Sequence, residues 1–384
     1  MEYVNLEHIA DILNGYNFKS SNYVNDGVRV IRITNVQQGY LEDKDPVFYE
    51  YTKDLDKYML KENDLLMSLT GNVGRVGMLV SSLLPAGLNQ RVACIRCKND
   101  NFNIKFLFYF FNNELFRKNA ISNSNGVAQL NLSTEWLKKV KIPAYDENKQ
   151  YKIVGELDKI VELIDDNKKQ LSNLDNIVKS QFIEMFGKLE DTEYPIDTLN
   201  NICEFIKDGT HQTPTYTEDE DGYIFVSSKD VTSGKIDWDN TKRIPKELHD
   251  QLYSRIAPKK NDILLSKNGT IGFAVLVEED RIFDIYVSLA ILRQNKLNPV
   301  FMKEQLNAED CQKQFYSSLK GVGVPNLHIG EIKKTKVIVP PIELQNKFAD
   351  FVQQIDKSKF NMKDIIIVMV ICLKIYFGQF ILYN

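Results

Sequence analysis

The sequence has few of the residues from which metal centres and disulfide frameworks are built. Its four histidines are scattered, and its five cysteines are an odd number at no regular spacing. This set predicts reduced thiols and a cytoplasmic location. Cys94 and Cys97 have the spacing of half a zinc knuckle, but they fall in a predicted strand whose alternation directs the two side chains to opposite faces. We therefore expect no metal bound by this chain.

Motifs for nucleotide hydrolysis and adenine methylation are also missing. No Gly-x-x-x-x-Gly-Lys-Ser/Thr loop occurs, and the Gly-rich stretches at residues 71–77 and 269–272 are not followed by Lys-Ser/Thr. Neither Asn-Pro-Pro-Tyr nor Asp-Pro-Pro-Tyr occurs, and the N-terminus lacks the layout of a signal peptide. A stand-alone methyltransferase or nuclease is therefore a disfavoured alternative.

Positive charge is not in excess either. The net charge is −4, and residues 1–143 carry 17 Lys plus Arg against 15 Asp plus Glu, a net of +2. Charge alone would therefore not predict nucleic-acid binding. The 384 residues, 43% hydrophobic and 26% charged, are typical of an ordinary globular protein with two or three domains.

What the sequence does contain is a long amphipathic stretch at residues 150–187. Mostly apolar residues recur there at alternating steps of four and three, which is the seam of a coiled coil. A helix of that length would measure roughly 55 Å and needs a partner for its apolar stripe. The seam positions are Ile153, Leu157, Ile160, Ile164, Asn167, Leu171, Leu174, Val178, Gln181 and Met185.

The second half of the chain repeats the first at an offset of about 195 residues. Several blocks keep this register, and the helix seam continues it as Phe348, Val352 and Ile355. Each repeat combines short β-rich runs, a helical patch such as residues 104–119, and a long helix. We therefore predict an α+β fold with two similar domains, an antiparallel pair of long helices and internal pseudo-twofold symmetry. The matching blocks are residues 27–36 and 222–231, 63–74 and 261–272, 131–132 and 326–327, and 150–160 and 345–355.

Polar loops recur at the same places in both repeats, although their side chains differ. Gly-Asn clusters are often simple turns, but a retained framework with altered tips suits two readers of different targets. Short hydroxyl and amide side chains suit phosphate contacts, whereas Arg, Asn and Gln suit base reading. The candidate DNA contacts in the first repeat are Lys19, Arg32, Thr34, Asn35, Thr70, Asn72, Arg75, Asn89, Gln90, Arg91, Gln129 and Asn131. Those in the second are Asp208, Thr210, His211, Thr213, Ser227, Lys229, Ser266, Lys267, Asn268, Thr270, Ser288 and Asn326.

The combined pattern resembles the DNA-specificity subunits of type I restriction–modification systems. The shared features are the Asn-Asp-Leu/Ile-Leu-x-Ser-x-x-Gly block of each repeat, the Pro that leads into a Gln-containing long helix, and Asp-Gly-Thr-His at residues 208–211. The resemblance extends to about Phe360. It implies target recognition domains at residues 1–149 and 188–343, separated by conserved helices at residues 150–187 and 344–384.

The resemblance also implies a function and partners. Each recognition domain would read one half of a bipartite site in double-stranded DNA, and the helices would set the distance between the halves. Two modification subunits would use S-adenosylmethionine to methylate adenine. Two restriction subunits would use ATP and magnesium to translocate and cleave DNA. The chain itself would be non-catalytic and would bind none of these cofactors.

The end of the chain departs from this pattern. Residues 365–373 are apolar all round, and residues 365–383 contain a single charge, Lys374. A buried or damaged helix is the favoured interpretation, with a membrane span as the alternative. A silent specificity cassette, or a helical scaffold that reads no DNA, also remains an alternative function.

Overall fold

The computed structural model describes residues 2–98, 102–126, 129–219, 221–232, 234–319 and 326–381. The chain divides into two compact units. Unit 1 comprises Met1–Lys168 and Asp364–Asn384, and unit 2 comprises Lys169–Lys363. The predicted α+β class is confirmed, and each unit also includes part of both long helices.

The first half of the chain begins with short strands and helices and ends in a long helix. Its elements are β1 (Tyr3–Asn5), α1 (Leu6–Ile9), β2 (Ala10–Asn14), β3 (Tyr23–Val24), β4 (Val28–Ile31), β5 (Phe48–Tyr49), β6 (Leu65–Ser68), β7 (Val76–Met78), β8 (Ala86–Leu88), β9 (Val92–Cys97), α2 (Ile104–Phe111), α3 (Glu114–Ser122), α4 (Thr134–Lys138), β10 (Lys141–Pro143) and α5 (Glu147–Phe186). Short 3-10 turns cover Ser20–Asn22, Ile33–Asn35, Lys53–Tyr58 and Ser81–Leu83.

The second half repeats this order. Its elements are β11 (Ile196–Thr198), α6 (Leu199–Ile202), β12 (Cys203–Asp208), β13 (Tyr223–Val226), β14 (Lys242–Ile244), α7 (Lys246–Arg255), β15 (Ile263–Ser266), β16 (Ala274–Leu276), β17 (Phe283–Ile285), β18 (Leu289–Gln294), α8 (Pro299–Asn307), α9 (Glu309–Ser317), α10 (Ile329–Lys334), β19 (Lys336–Ile338) and α11 (Ile342–Ile381). A 3-10 turn covers Ser228–Val231.

The sheets show that the repeat is structural as well as sequential. In unit 1 the sheet orders are β1-β10, β2-β9-β6-β7 and β3-β5-β4-β8, and in unit 2 they are β11-β19, β12-β18-β15-β16 and β14-β13-β17. The parallel pairing of β4 with β8 recurs as that of β13 with β17. Among the described residues, unit 2 differs by the helix α7, where unit 1 has the 3-10 turn Lys53–Tyr58, and by the lack of a strand that corresponds to β3.

One predicted helix is two helices. The patch expected at residues 104–119 breaks between α2 and α3. There the Asn113 side chain accepts a hydrogen bond from the Phe116 backbone N–H at 2.7 Å and starts a new helix. An Asn in this capping role satisfies a free helical N–H, which explains why the apolar pattern alone did not mark the boundary.

The two long helices run antiparallel where both lie in unit 2. Near the start of α11, Phe348 packs against Phe186 with ring centroids 5.5 Å apart. Further along α11, the Lys359 ammonium lies 2.7 Å from the carboxylate of Asp175, which is earlier on α5. In unit 1, Leu373 of α11 packs against the cluster of buried residues that includes the first turns of α5.

The seam positions are placed as follows. Ile153, Leu157, Ile164, Val178, Phe348 and Val352 are buried, while Ile160, Asn167, Leu171, Leu174 and Ile355 are half-buried. At the end of α5 the buried face includes Phe182 and Phe186, beside the half-buried Gln181 and Met185. Asn167 donates its side-chain N–H to the Leu163 carbonyl of its own helix at 2.7 Å.

A buried glutamine holds the start of each long helix to the rest of its own unit. In unit 1, the Gln150 side chain accepts from the Asn103 N–H at 2.8 Å and donates to the Tyr145 carbonyl at 2.8 Å. In unit 2, the Gln345 side chain accepts from the Asn298 N–H at 2.8 Å. The two glutamines therefore tie the start of each long helix to the start of a preceding helix, α2 or α8.

The end of α11 remains helical to Ile381 and presents an apolar face. Its exposed residues are Ile365, Ile367, Val368, Ile371 and Ile375. Within the described residues, no helix has both the length and the apolar character needed to cross a membrane. The last residues of the predicted apolar segment, 382 and 383, lie outside the described part.

Candidate nucleic-acid interface

In unit 1, the candidate loops meet at one end of the sheet β2-β9-β6-β7. The Leu69 N–H donates to the Arg91 carbonyl at 3.0 Å, and the Leu132 N–H donates to the Leu69 carbonyl at 2.7 Å. The Tyr16 N–H donates to the Leu88 carbonyl at 2.7 Å. These main-chain bonds fix the loops to one another independently of their side chains. The loops so joined are residues 15–19, 68–75, 89–91 and 129–132.

Unit 2 makes the same connections at the equivalent end of the sheet β12-β18-β15-β16. The Lys267 N–H donates to the Ser288 carbonyl at 2.9 Å, and the Leu327 N–H donates to the Lys267 carbonyl at 2.9 Å. The Thr210 N–H donates to the Ile285 carbonyl at 3.2 Å. Thus Lys267 occupies the position of Leu69, and the loop framework is retained while the side chains change.

An ion pair between a buried aspartate and a half-buried arginine supports each loop cluster from the opposite end of the strands. In unit 1, Arg96 donates through Nε and Nη2 to the Asp64 carboxylate at 2.7 and 2.6 Å. In unit 2, Arg293 makes the same two bonds to Asp262 at 2.8 and 2.7 Å. Each aspartate follows an Asn with positive φ in the repeated Asn-Asp block. The internal repeat marks this block in the sequence, but the bidentate ion pair was not predicted from it.

The predicted contact residues fall into three groups by exposure. The exposed ones are Lys19, Thr34, Asn72, Gln90, Arg91, Gln129, Asn131, His211, Thr213, Lys229 and Thr270. The half-buried ones are Arg32, Thr70, Arg75, Asn89, Asp208, Ser227, Asn268 and Asn326. The buried ones are Asn35, Thr210, Ser266, Lys267 and Ser288. The predicted loops also included residues 127–128 and 321–325, which lie outside the described part.

The buried side chains hold the loops in shape. The Asn35 amide donates to the Glu42 carbonyl at 2.8 Å, and the Ser266 hydroxyl accepts from the Phe273 N–H at 2.9 Å. The Ser288 hydroxyl accepts from the Ser228 N–H at 2.9 Å. These polar atoms already have hydrogen-bond partners within the protein, and the bonds stabilise the loop conformations. Contacts to a ligand therefore fall to the exposed residues of the same loops.

Two half-buried arginines of unit 1 are also anchored. Arg32 donates through Nη2 to the Asp45 carbonyl at 2.6 Å, and Arg75 donates through Nη1 to the Gln37 side chain at 2.7 Å. An arginine has five N–H donors, so these bonds set the direction of the guanidinium and leave further donors for a ligand.

Both halves of the chain match one known protein family. The family profile described as "Type I restriction modification DNA specificity domain" matches residues 1–176 and 193–367, one match in each half. The chain belongs to the type I restriction modification DNA specificity family.

Known members of the specificity family match nearly the whole chain. The EcoBI specificity subunit of Escherichia coli is 26% identical, with 92% of this chain and 78% of the relative covered. The MjaIX specificity subunit of Methanocaldococcus jannaschii is 24% identical, with 85% and 82% covered. A chain from a solved structure concerned with complex assembly and conformational transition of the type I R-M system has a TM-score of 0.62 at 14% identity, with 99% and 97% covered. This last similarity shows the fold.

In this specificity-family chain the two loop clusters are supported by different chemistry. Tyr16 and Phe18 of unit 1 pack edge-to-face with ring centroids 5.0 Å apart, and Tyr58 lies 5.3 Å from Tyr16. In unit 2, Arg255 of α7 donates instead to the carbonyls of Asp208 and Gly209. Neither support was predicted from the sequence, because neither aromatic residues nor an arginine outside the loops belongs to the polar loop pattern.

The exposed Asn17 is a further candidate contact that was not predicted from the sequence. Its side-chain oxygen accepts from the Gln90 amide at 3.0 Å, which joins two loops of unit 1. Its signal was its place within the repeated loop that follows β2 and β12. Within the described residues, no three His, Cys, Asp or Glu side chains are grouped so that they could hold a metal ion.

Proposed function

We propose that this chain selects the DNA sequence on which a type I restriction–modification complex acts. The observation that carries the proposal is the pair of equivalent loop clusters, one in each unit. Their backbone connections agree, whereas their exposed side chains differ. A common scaffold with unlike tips suits two modules that read different halves of a bipartite double-stranded site, since base edges rather than phosphates carry sequence information.

The exposed residues divide by chemistry into two roles. The amides of Asn72, Gln90 and Gln129 suit base edges in the major groove, where paired donor and acceptor groups distinguish adenine. The cations Lys19 and Lys229 suit phosphate oxygens, which position the protein without reading sequence. We assign the buried residues, including Ser266 and Ser288, to loop support rather than direct DNA contact.

The long helices are proposed as the spacer between the two half-sites. A helix rises ~1.5 Å per residue and does not stretch as a flexible linker does. Two modification and two restriction subunits would complete the complex and supply the chemistry with S-adenosylmethionine, ATP and magnesium. The chain itself would contribute recognition and no catalysis. The proposed domains remain residues 1–149, 150–187, 188–343 and 344–384.

Methylome sequencing tests this function. The chain is produced together with a type I modification subunit with which it forms a complex, in a host that lacks this methylation pattern, and is compared with the modification subunit alone. One bipartite N6-methyladenine motif that depends on the chain is the expected result. A fully expressed complex that yields no such motif would contradict the proposal and favour a silent cassette or a non-reading scaffold.

A further inference from the structure

Three polar residues of unit 2 form a continuous line from its interior to its surface. The Lys267 side chain is only 4% exposed, and its ammonium lies 2.9 Å from Asp208 Oδ2. The His211 side chain is 68% exposed, and its Nε2 lies 3.0 Å from the same oxygen. A buried cation is thus connected through one carboxylate to an imidazole on the surface that is proposed to contact DNA.

The charges assign the proton on His211. Partial burial alone would raise the pKa of Asp208, but the hydrogen bonds and charge interactions with Lys267 and His211 together outweigh it, so that this pKa lies below its ordinary value. Asp208 is therefore an ionised acceptor at neutral pH, and His211 Nε2 must be the donor. In a neutral imidazole the other nitrogen, Nδ1, is then an acceptor. Nδ1 has no hydrogen-bond partner among the described residues.

The backbone beneath His211 is also fixed. Arg255 donates through Nη2 to the Asp208 carbonyl at 2.8 Å and to the Gly209 carbonyl at 3.0 Å. A Cβ at Gly209 would lie 2.1 Å from the Ile285 carbonyl oxygen, so the chain passes too close for any other residue. The imidazole therefore stands on a rigid base, which is what a base-reading group requires.

Unit 1 shows that the fold does not need this line of charges. Leu69 stands where unit 2 has Lys267, and it is buried. Asn14 stands at the end of β2, where unit 2 has Asp208 at the end of β12. Burying an ammonium opposes stability unless it is paired. The same loop framework forms without it, so the pair has a purpose other than closing the loop.

We propose that Lys267 and Asp208 are positioning residues that hold His211 as a hydrogen-bond acceptor for an exocyclic amino group of DNA. In the major groove these groups are N6 of adenine and N4 of cytosine. This inference rests on the proposed function, since it assigns a specificity-determining role within the half-site that unit 2 reads.

The test compares base preferences position by position in the methylome. His211→Phe removes the acceptor and should relax one position of one half-site by about tenfold, since a lost specific contact costs on the order of a factor of ten or more. Lys267→Met should relax the same position, because it releases the carboxylate that orients the imidazole. The other half-site should not change in either variant.

A double variant provides the same test if Lys267→Met does not fold. Asp208→Asn with Lys267→Leu installs the pair found in unit 1 and leaves no unpaired buried charge. This variant should fold and should keep the base preferences of the half-site read by unit 1. It should still relax the base preference at the position affected by His211→Phe. A merely structural role would instead lower stability and weaken every position of the half-site alike.

The amino group itself is tested with modified DNA. An analogue without the exocyclic amino group at the relaxed position should weaken binding of the wild-type complex about tenfold and leave His211→Phe unaffected. Unchanged preferences in His211→Phe, or relaxation of different positions in the His211 and Lys267 variants, would overturn this inference alone. Absence of any bipartite motif with the wild-type chain would overturn the proposed function instead.

Discussion

Replacing Phe186 by alanine should destabilise unit 2 and leave unit 1 unchanged. Phe186 is 1% exposed and closes the end of α5. Its ring centroid lies 4.9 Å from that of Phe301, 5.2 Å from Phe182 and 5.5 Å from Phe348. The residue therefore connects both long helices to α8, and its loss would open a cavity where three elements meet.

The expected cost follows from these contacts. Truncation of a buried Phe to Ala typically costs about 3–5 kcal/mol, and edge-to-face partners add to the loss of area. With a urea dependence of about 2 kcal/mol per molar, the unfolding midpoint of unit 2 should fall by roughly 2 M. Such a loss is a large part of the stability of an ordinary domain.

The two tryptophans make the measurement specific to each unit. Trp136 lies in unit 1, near Phe116, and Trp238 lies in unit 2, near Phe283. In a Trp136→Phe background the fluorescence reports unit 2, and in a Trp238→Phe background it reports unit 1. Phe186→Ala should lower the midpoint only in the first background.

Ile183→Ala is the matched control, because Ile183 lies one turn earlier on α5 and is 44% exposed. Its midpoint should stay close to that of the parent. Phe186→Leu gives a milder variant if the alanine chain does not accumulate. Equal midpoints for the Phe186 and Ile183 variants would refute the claim that the aromatic cluster anchors α5 to unit 2.

Three further predictions use other parts of the fold. Arg96→Met leaves the buried Asp64 carboxylate unpaired and should cost unit 1 about 3–5 kcal/mol in urea unfolding. Burial raises the pKa of Asp284 from 3.8 to about 6, against the opposing effect of its hydrogen bond with His249. The contribution of the Asp284 carboxyl to the free energy of unfolding is therefore complete below pH 4 and is lost as the pH rises through 6. Relative to the wild type, the stability of Asp284→Asn should increase by up to about 3 kcal/mol between pH 4 and pH 7. A four-residue insertion after Lys168, matched by one after Lys363, adds ~6 Å of helix and should lengthen the unread DNA gap by one or two base pairs, as read by methylome sequencing.

Each of these has a distinct contradicting result. An unchanged urea-unfolding midpoint of unit 1 in Arg96→Met would show that the Arg96–Asp64 pair does not stabilise this unit. A constant stability difference between Asp284→Asn and the wild type across pH 4 to 7 would show that the carboxyl does not titrate as described. An insertion variant that folds and methylates the parental motif would show that the helices do not set the spacing.

The structure decides where such an insertion belongs. The alternative place is residues 184–187, near the end of the first long helix. An insertion there would displace Phe186 from the buried aromatic cluster of unit 2. After Lys168 and Lys363 the insertions fall where the chain passes between units 1 and 2, and the cores remain intact.

The helix seam was predictable because apolar spacing reports directly on which helix face is buried. Only one stripe can be read in this way, however. Near the end of α5 the helix packs against both α11 and α8, and Phe182 and Phe186 become its buried residues beside Gln181 and Met185. A helix that serves two neighbours has a wider apolar face than a heptad template recognises.

The loop positions were predictable from the repeat, but the orientation of their side chains was not. Lys267 is a polar residue in a Gly-Asn loop and was placed among the DNA contacts. Its inward direction depends on Asp208, which is 59 residues earlier in the chain. Composition and turn chemistry describe only local sequence, so a pair formed across the fold leaves no signal in either segment.

The most direct test of the account asks whether each unit reads its own half of the target. Asn72→Ala with Gln90→Ala alters exposed side chains of unit 1, and Thr213→Ala with Thr270→Ala alters those of unit 2. Methylome sequencing should show that each pair changes base preference in a single half of the bipartite motif, and that the two pairs affect opposite halves. Changes in both halves from either pair, or in the same half from both, would contradict the central claim.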